Sequence, residues 1–194
     1  MLGVGCMSTR SRISTKMARL HHLHPKRPGQ AIPFPKNLNR PQFNYVYTQP
    51  TTKVHFEEVI GDLFSSPDST SLAHCISEDC ACSRGIALEF KNRFAGISEL
   101  RKQGKEVGDI AVVKDGNRYL YNMVTKKKFC DKPTIEDLEK CLVQLRNCCR
   151  QDGVTNLAMP KIGCGLDELK WFNVRLMIQN VFEQESIKIT ICSH

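Results

Sequence analysis

The chain has 194 residues, a mass of 22.0 kDa and 41% hydrophobic residues, enough to bury the core of one average domain. No run approaches the roughly 18 consecutive apolar residues of a membrane-spanning helix, and the start lacks a secretory signal's apolar stretch, so a soluble intracellular protein off the membrane is expected. The net charge of +8 is uneven: residues 1–56 hold nine Lys or Arg and no acid, the remainder 19 and 20, so basicity says nothing about the main domain's partner.

Residues 1–52 are expected to form a disordered, basic arm. Prolines at 25, 28, 33, 35 and 41 and few large apolar residues prevent a packed core. Arg10, Arg12, Lys16 and Arg19 without acids resemble a mitochondrial transit peptide, whereas Pro25-Lys26-Arg27-Pro28 reads as a short nuclear address. A solvated arm with no address is the third reading.

From residue 53 onward, short apolar runs alternate with helical periods, which predicts an α/β domain over 53–194. Strands are expected near 53–59, 70–76, 109–114, 118–125, 155–159 and 186–192, the last with Ile187, Ile189 and Ile191 on one face. Lys114-Asp115-Gly116-Asn117 suits a tight hairpin turn, so one strand pair should be antiparallel. A helix from about Gly85 should bury Ile86, Phe90, Phe94 and Ile97. Another runs from the N-cap Thr134 to Arg150, with Ile135, Leu138, Cys141, Leu142, Leu145 and Cys149 on one stripe. A third begins after Asp167 and carries Leu169, Phe172, Leu176 and Val181. The simplest assembly is a three-layer α/β/α sandwich with a central mixed sheet. Ligands of such sheets bind beyond the carboxyl ends of the strands, here the loops after Ile76, Thr125 and Met159.

Ten cysteines would suggest a disulfide framework in a secreted chain, but here they read mainly as reduced, buried hydrophobes. His74, Cys75, Cys80 and Cys82 could supply zinc ligands, yet they lack paired CxxC knuckles, and no metal is expected. Pro160-Lys161-Ile162-Gly163-Cys164-Gly165-Leu166-Asp167 joins a strand to a helix. Two glycines there allow close approach of an anion such as a diphosphate, or simply make a tight turn; the full Walker and GxGxxG patterns are absent. Asp167 is either a helix cap or a functional carboxylate. Lys126 opens a Lys126-Lys127-Lys128 run that reads as solvated, but at the end of an apolar strand a desolvated lysine can become a nucleophile. Ser77-Glu78-Asp79 suits a helix cap or contact with ligand hydroxyls.

Four stretches carry a resemblance: Gly61–Phe64, Ser71–Cys80, Val124–Lys127 and Met159–Asp167. Together, from about Val54 onward, the chain resembles the terminal ADP-ribose protein glycohydrolase branch of the macrodomain family. The resemblance implies a macrodomain over 53–194 that removes ADP-ribose from protein glutamate or aspartate and deacylates O-acetyl-ADP-ribose. It implies Lys126 as nucleophile and Asp167 as acid/base. ADP-ribose contacts are implied at Asp62 (to the adenine), Leu63, Ser77, the loop residues Lys161, Ile162, Gly163, Cys164, Gly165, Leu166 and Asp167, and the terminal His194. No cofactor is implied; the partners are ADP-ribose, O-acetyl-ADP-ribose and ADP-ribosylated proteins, with nucleic acid only through the basic arm. A monomer in nucleus and cytoplasm is expected, with the mitochondrion as alternative. Lys161 stands where the family carries Arg, and Cys80–Gly85 replaces a more glycine-rich loop. The alternative is a reader macrodomain that holds ADP-ribose without cleaving it.

Overall fold

A computed structural model describes residues 54–193, Ala95 excepted. The arm expected over 1–52 and His194 lie outside the described residues. In chain order the elements are β1 (His55–Ile60), a 3-10 turn (Leu63–Ser65), β2 (Ser71–Ser77), α1 (Gly85–Arg93), α2 (Ile97–Lys102), β3 (Ile110–Asp115), β4 (Arg118–Lys126), α3 (Ile135–Gln151), β5 (Asn156–Pro160), α4 (Trp171–Val181) and β6 (Lys188–Ser193).

The six strands form one sheet in the order β1-β6-β5-β2-β4-β3. Every neighbouring pair is parallel except β3 with β4. Side chains alternate across each strand, so both faces of the inner strands need cover. On one face Leu138, Leu142 and Leu145 of α3 and Val174 and Ile178 of α4 pack with Tyr121, Met123, Met159, Ile189 and Ile191. On the other, Phe90 of α1 packs on Leu72, Leu120 and Ala158, and Leu100 of α2 clusters with Ile76, Ala111 and Val124. This is the expected α/β/α sandwich with its mixed sheet.

Helix α3 follows its sequence pattern: Thr134 Oγ1 accepts from Asp137 N at 3.0 Å, and the apolar stripe faces the sheet. Two other expectations are corrected. The helix from Gly85 does not run through Ile97, because Gly96 takes a φ of +154° that a helix interior cannot hold; α1 ends at Arg93 and a separate α2 begins. Helix α4 does not begin after Asp167 but at Trp171, and the delay changes which face is inward. Val174, Ile178 and the following Phe182 are fully buried, while Phe172 is 70% exposed and Leu176 is exposed as well. The expected tight hairpin is present and makes β3 and β4 antiparallel: Asp115 pairs with Arg118, and Gly116, at the first central position, takes the positive φ, +56°.

All nine cysteines among the described residues are free thiols. Burial pushes the Cys141 thiol up to about 12, consistent with an inert core residue. His74 and Cys75 are neighbours on β2 and therefore point to opposite faces, so the possible zinc set is split. His74 stacks on Phe90 of α1 at 3.7 Å, whereas Cys75 packs in the α3 layer. Among the described residues no group of His, Cys, Asp and Glu is arranged to hold a metal ion. His74 Nε2 lies 2.7 Å from Asn122 Oδ1. The Asn122 amide nitrogen is committed to the carbonyls of Ala111 and Leu120, which makes its oxygen the acceptor and Nε2 the protonated nitrogen. Burial, opposed in part by that bond, brings His74 down to about 4 and keeps it neutral at pH 7.

Candidate active site

Parallel pairing brings the carboxyl ends of β1, β6, β5, β2 and β4 to one edge of the sheet. A cleft of about 550 Å³ opens there, within the range of small-molecule sites. Its walls come from three strand ends and the chain that follows them: 75–87 from the end of β2 into α1, 126–132 from the end of β4, and 160–167 from the end of β5. These are the loops expected from the ends at Ile76, Thr125 and Met159.

Lys126 is the last residue of β4. Its register partner on β2 is Ser77, reached through a bulge at Ile76, so both side chains emerge at the same sheet edge. Lys126 Nζ lies 2.6 Å from Asp167 Oδ1, with the two side chains only 14% and 12% exposed. The Lys126-Lys127-Lys128 run is therefore not uniformly solvated: its first member turns inward onto a carboxylate.

The loop carrying that carboxylate is two consecutive turns. The first is closed by Cys164 N donating to Lys161 O at 3.2 Å, the second by Glu168 N donating to Gly165 O at 3.2 Å. Leu169 N then donates to Gly163 O at 2.8 Å and ties the end of the loop to its beginning. Asp167 is a central residue of the second turn. Since α4 starts at Trp171 after the cap position Lys170, the helix-cap reading of Asp167 is corrected, and the dipole of α4 does not begin at this loop. Gly163 needs its missing side chain twice: its φ is +69°, and a Cβ would come 2.8 Å from Leu169 Cδ1. At Gly165 an added Cβ would meet nothing within 4 Å, which leaves the cleft wall open for a ligand.

Ser77, Lys126, Lys161, Ile162, Gly163, Gly165, Leu166 and Asp167 thus line one cleft. Cys164 lies in the same loop but is not among the lining residues; its thiol donates to Ile162 O at 3.2 Å. The Lys161 ammonium is 3.8 Å from Glu58 and lies over Trp171, so its charge is engaged on β1 and α4. Asp62 and Leu63 follow β1 at the same sheet edge but do not line this cleft. Asp62 Oδ1 accepts from Phe64 N at 3.0 Å and caps the short 3-10 turn, and Leu63 is buried. His194 is outside the described residues.

Sequence reasoning alone gave no role to Lys132 or Phe129 and an imprecise one to Asp79. Asp79 caps no helix. Its carboxylate accepts from Ser77 Oγ, from Ala81 N at 3.2 Å and from Phe129 N at 3.2 Å, and so joins the loops after β2 and β4. Burial opposes its charge, but those bonds outweigh it and hold the carboxyl below its ordinary value. Phe129 and Leu166 are both exposed and both line the cleft. The Ser77-x-Asp79 spacing was a usable signal for the local hydroxyl bond; the contact with Phe129 is long-range and had none.

The fold and the cleft at the carboxyl edge define a class, and comparison with known proteins places the chain in it. The pattern of the Macro domain family matches residues 78–178, and the chain belongs to that family. It is 53% identical over 133 residues to human ADP-ribose glycohydrolase OARD1, an alignment spanning 69% of this chain and 88% of that protein. Among solved structures, the macrodomain of Thermus aquaticus DarG superposes with a TM-score of 0.65 at 25% identity, covering 72% of this chain and 98% of that one. Thermosipho africanus DarTG, solved in complex with ADP-ribose, shares the fold with a TM-score of 0.61 at 20% identity, over 70% of this chain and 41% of that one.

Proposed function

We propose that this chain is an ADP-ribosyl-protein hydrolase that releases mono-ADP-ribose or terminal ADP-ribose from protein glutamate or aspartate and deacylates O-acetyl-ADP-ribose. The observation that carries the reading is the 2.6 Å pair between Lys126 Nζ and Asp167 Oδ1, largely withdrawn from water in the wall of the cleft. The name of the human relative, an ADP-ribose glycohydrolase, and its 53% identity support hydrolysis of an ADP-ribose bond.

Lys126 attacks the anomeric carbon of the distal ribose through the lone pair of its unprotonated amine. The nitrogen–carbon bond forms as the bond to the substrate carboxyl breaks, and the carboxyl group departs as a carboxylate anion. Asp167 then takes a proton from the substituted Lys126 nitrogen. In the second half it returns that proton to the nitrogen and accepts one from a water whose oxygen adds to the anomeric carbon, freeing ADP-ribose and Lys126, and then gives its proton to solvent. The turns at 161–168 leave Gly165 open for the ligand diphosphate, and the Arg84 side of the cleft adds positive charge.

The test is release of ADP-ribose from a glutamate-linked mono-ADP-ribosylated protein. Lys126→Ala is expected to abolish release and retain ADP-ribose binding, and Asp167→Ala to slow turnover while a covalent adduct builds up on Lys126. Undiminished release by Lys126→Ala refutes the nucleophile. Binding with no release by the intact chain makes it a reader.

A further inference from the structure

We infer that Lys132 is a positioning residue for Asp167, gripping the two residues on either side of it. The inference rests on the hydrolase reading above. Lys132 Nζ donates to the carbonyl of Leu166 and pairs with Glu168 Oε1 at 3.1 Å. These are the residues immediately before and after Asp167. Because both acceptors belong to one β-turn, a single ammonium holds the backbone carbonyl before Asp167 and the side-chain carboxylate after it. It thereby restrains the direction in which the Asp167 carboxylate meets Lys126.

Lys132 is itself held in place. Lys128 N donates to Asp131 Oδ2 at 2.9 Å, Asp131 N donates to Lys128 O at 3.0 Å, and Phe129 N donates to Asp79 Oδ2 at 3.2 Å. On its other side Pro133 and the cap Thr134 lead into α3. The ammonium thus joins the loop after β4 to the loop after β5, the two loops that carry Lys126 and Asp167. A purely stabilising role fits the exposure poorly: the side chains of Lys132 and Glu168 are 54% and 78% exposed, and ion pairs so placed contribute little stability. Glu168 adopts a φ of +62°, an uncommon conformation for this residue, and its carboxylate reaches Lys132.

The experiment compares wild type, Lys132→Met, Lys132→Arg and Glu168→Asn on the glutamate-linked substrate, separating kcat from KM and following protein mass during turnover. Lys132→Met should lose on the order of tenfold in kcat, the scale of one exposed ion pair and one hydrogen bond that no longer favour the competent loop. Its ADP-ribose affinity should be unchanged, KM should fall together with kcat, and a Lys126 adduct should accumulate because the second step needs Asp167 in place. Lys132→Arg should recover most of the rate, since its fork offers donors to both acceptors. Glu168→Asn, which tolerates positive φ, removes one of the two grips and should fall the same way by less; it keeps the inference testable if Lys132→Met does not fold. Wild-type kcat without adduct in Lys132→Met and Glu168→Asn overturns the inference, as does a loss confined to KM. A wild-type protein that binds ADP-ribose and releases none overturns the hydrolase reading itself.

Discussion

Gly163 and Gly165, two positions apart, have different reasons for being glycine. The φ of +69° at Gly163 costs an L-residue about 1–2 kcal/mol. Gly163→Ala should therefore lower unfolding stability by at least about 1 kcal/mol, since its Cβ must also displace Leu169. Gly165→Val should leave the urea midpoint unchanged and weaken ADP-ribose binding, because its side chain enters empty space in the cleft wall. Equal stability losses in the two variants would contradict this division, as would unchanged binding by Gly165→Val. His74 makes a separate prediction about pH. Its ordinary value of 6.5 falls to about 4 on burial, so between these values the unfolded chain takes up a proton that the folded one refuses. Stability is complete above pH 6.5 and declines as pH falls toward 4, by roughly 3 kcal/mol at most. His74→Gln can still donate to Asn122 and should flatten that part of the pH profile; an equally steep profile would show that other groups carry it.

Among the elements, α3 was legible in the sequence because the Thr134 cap and an unbroken apolar stripe agree. Helix α4 was misread where tertiary structure intervenes. Leu169 looks like the first apolar position of a helix, but its N–H closes the loop onto Gly163 O, so the helical phase starts later and Val174 and Ile178 take the inward face. The break between α1 and α2 hung on one glycine whose φ no periodicity reports. At the edge of the sheet, Gln103 has a role that only the folded chain displays. Its side-chain amide donates to Val112 O at 2.8 Å and accepts from Val112 N at 3.0 Å, pairing with β3 as a neighbouring strand would. Gln103→Ala should cost about 1–3 kcal/mol for two lost bonds and promote association through β3. Light scattering at high concentration would detect that association, and a variant as stable and monodisperse as wild type would remove the edge-protection role.

At the scale of the whole molecule, the place of the site was legible because a parallel sheet has one productive edge and the sequence marks where its strands end. The partnership of Lys126 with Asp167 could be expected only through family resemblance, since 41 positions separate them and each taken alone suits a solvated lysine or a cap. The bridge from Lys132 had no sequence signature, because its acceptors include a backbone carbonyl brought near by folding. The strand order also governs how the molecule comes into being. β6 is inserted between β1 and β5, so among the described residues β1 has no neighbour until the last strand arrives. A nascent chain lacking residues 188–193 cannot complete the sheet, however well β2, β3 and β4 have already associated. Assembly must pay the loop-closure entropy of nearly the whole domain in its final step, which places this fold among the slower folders and leaves β1 dependent on protection from premature partners during synthesis.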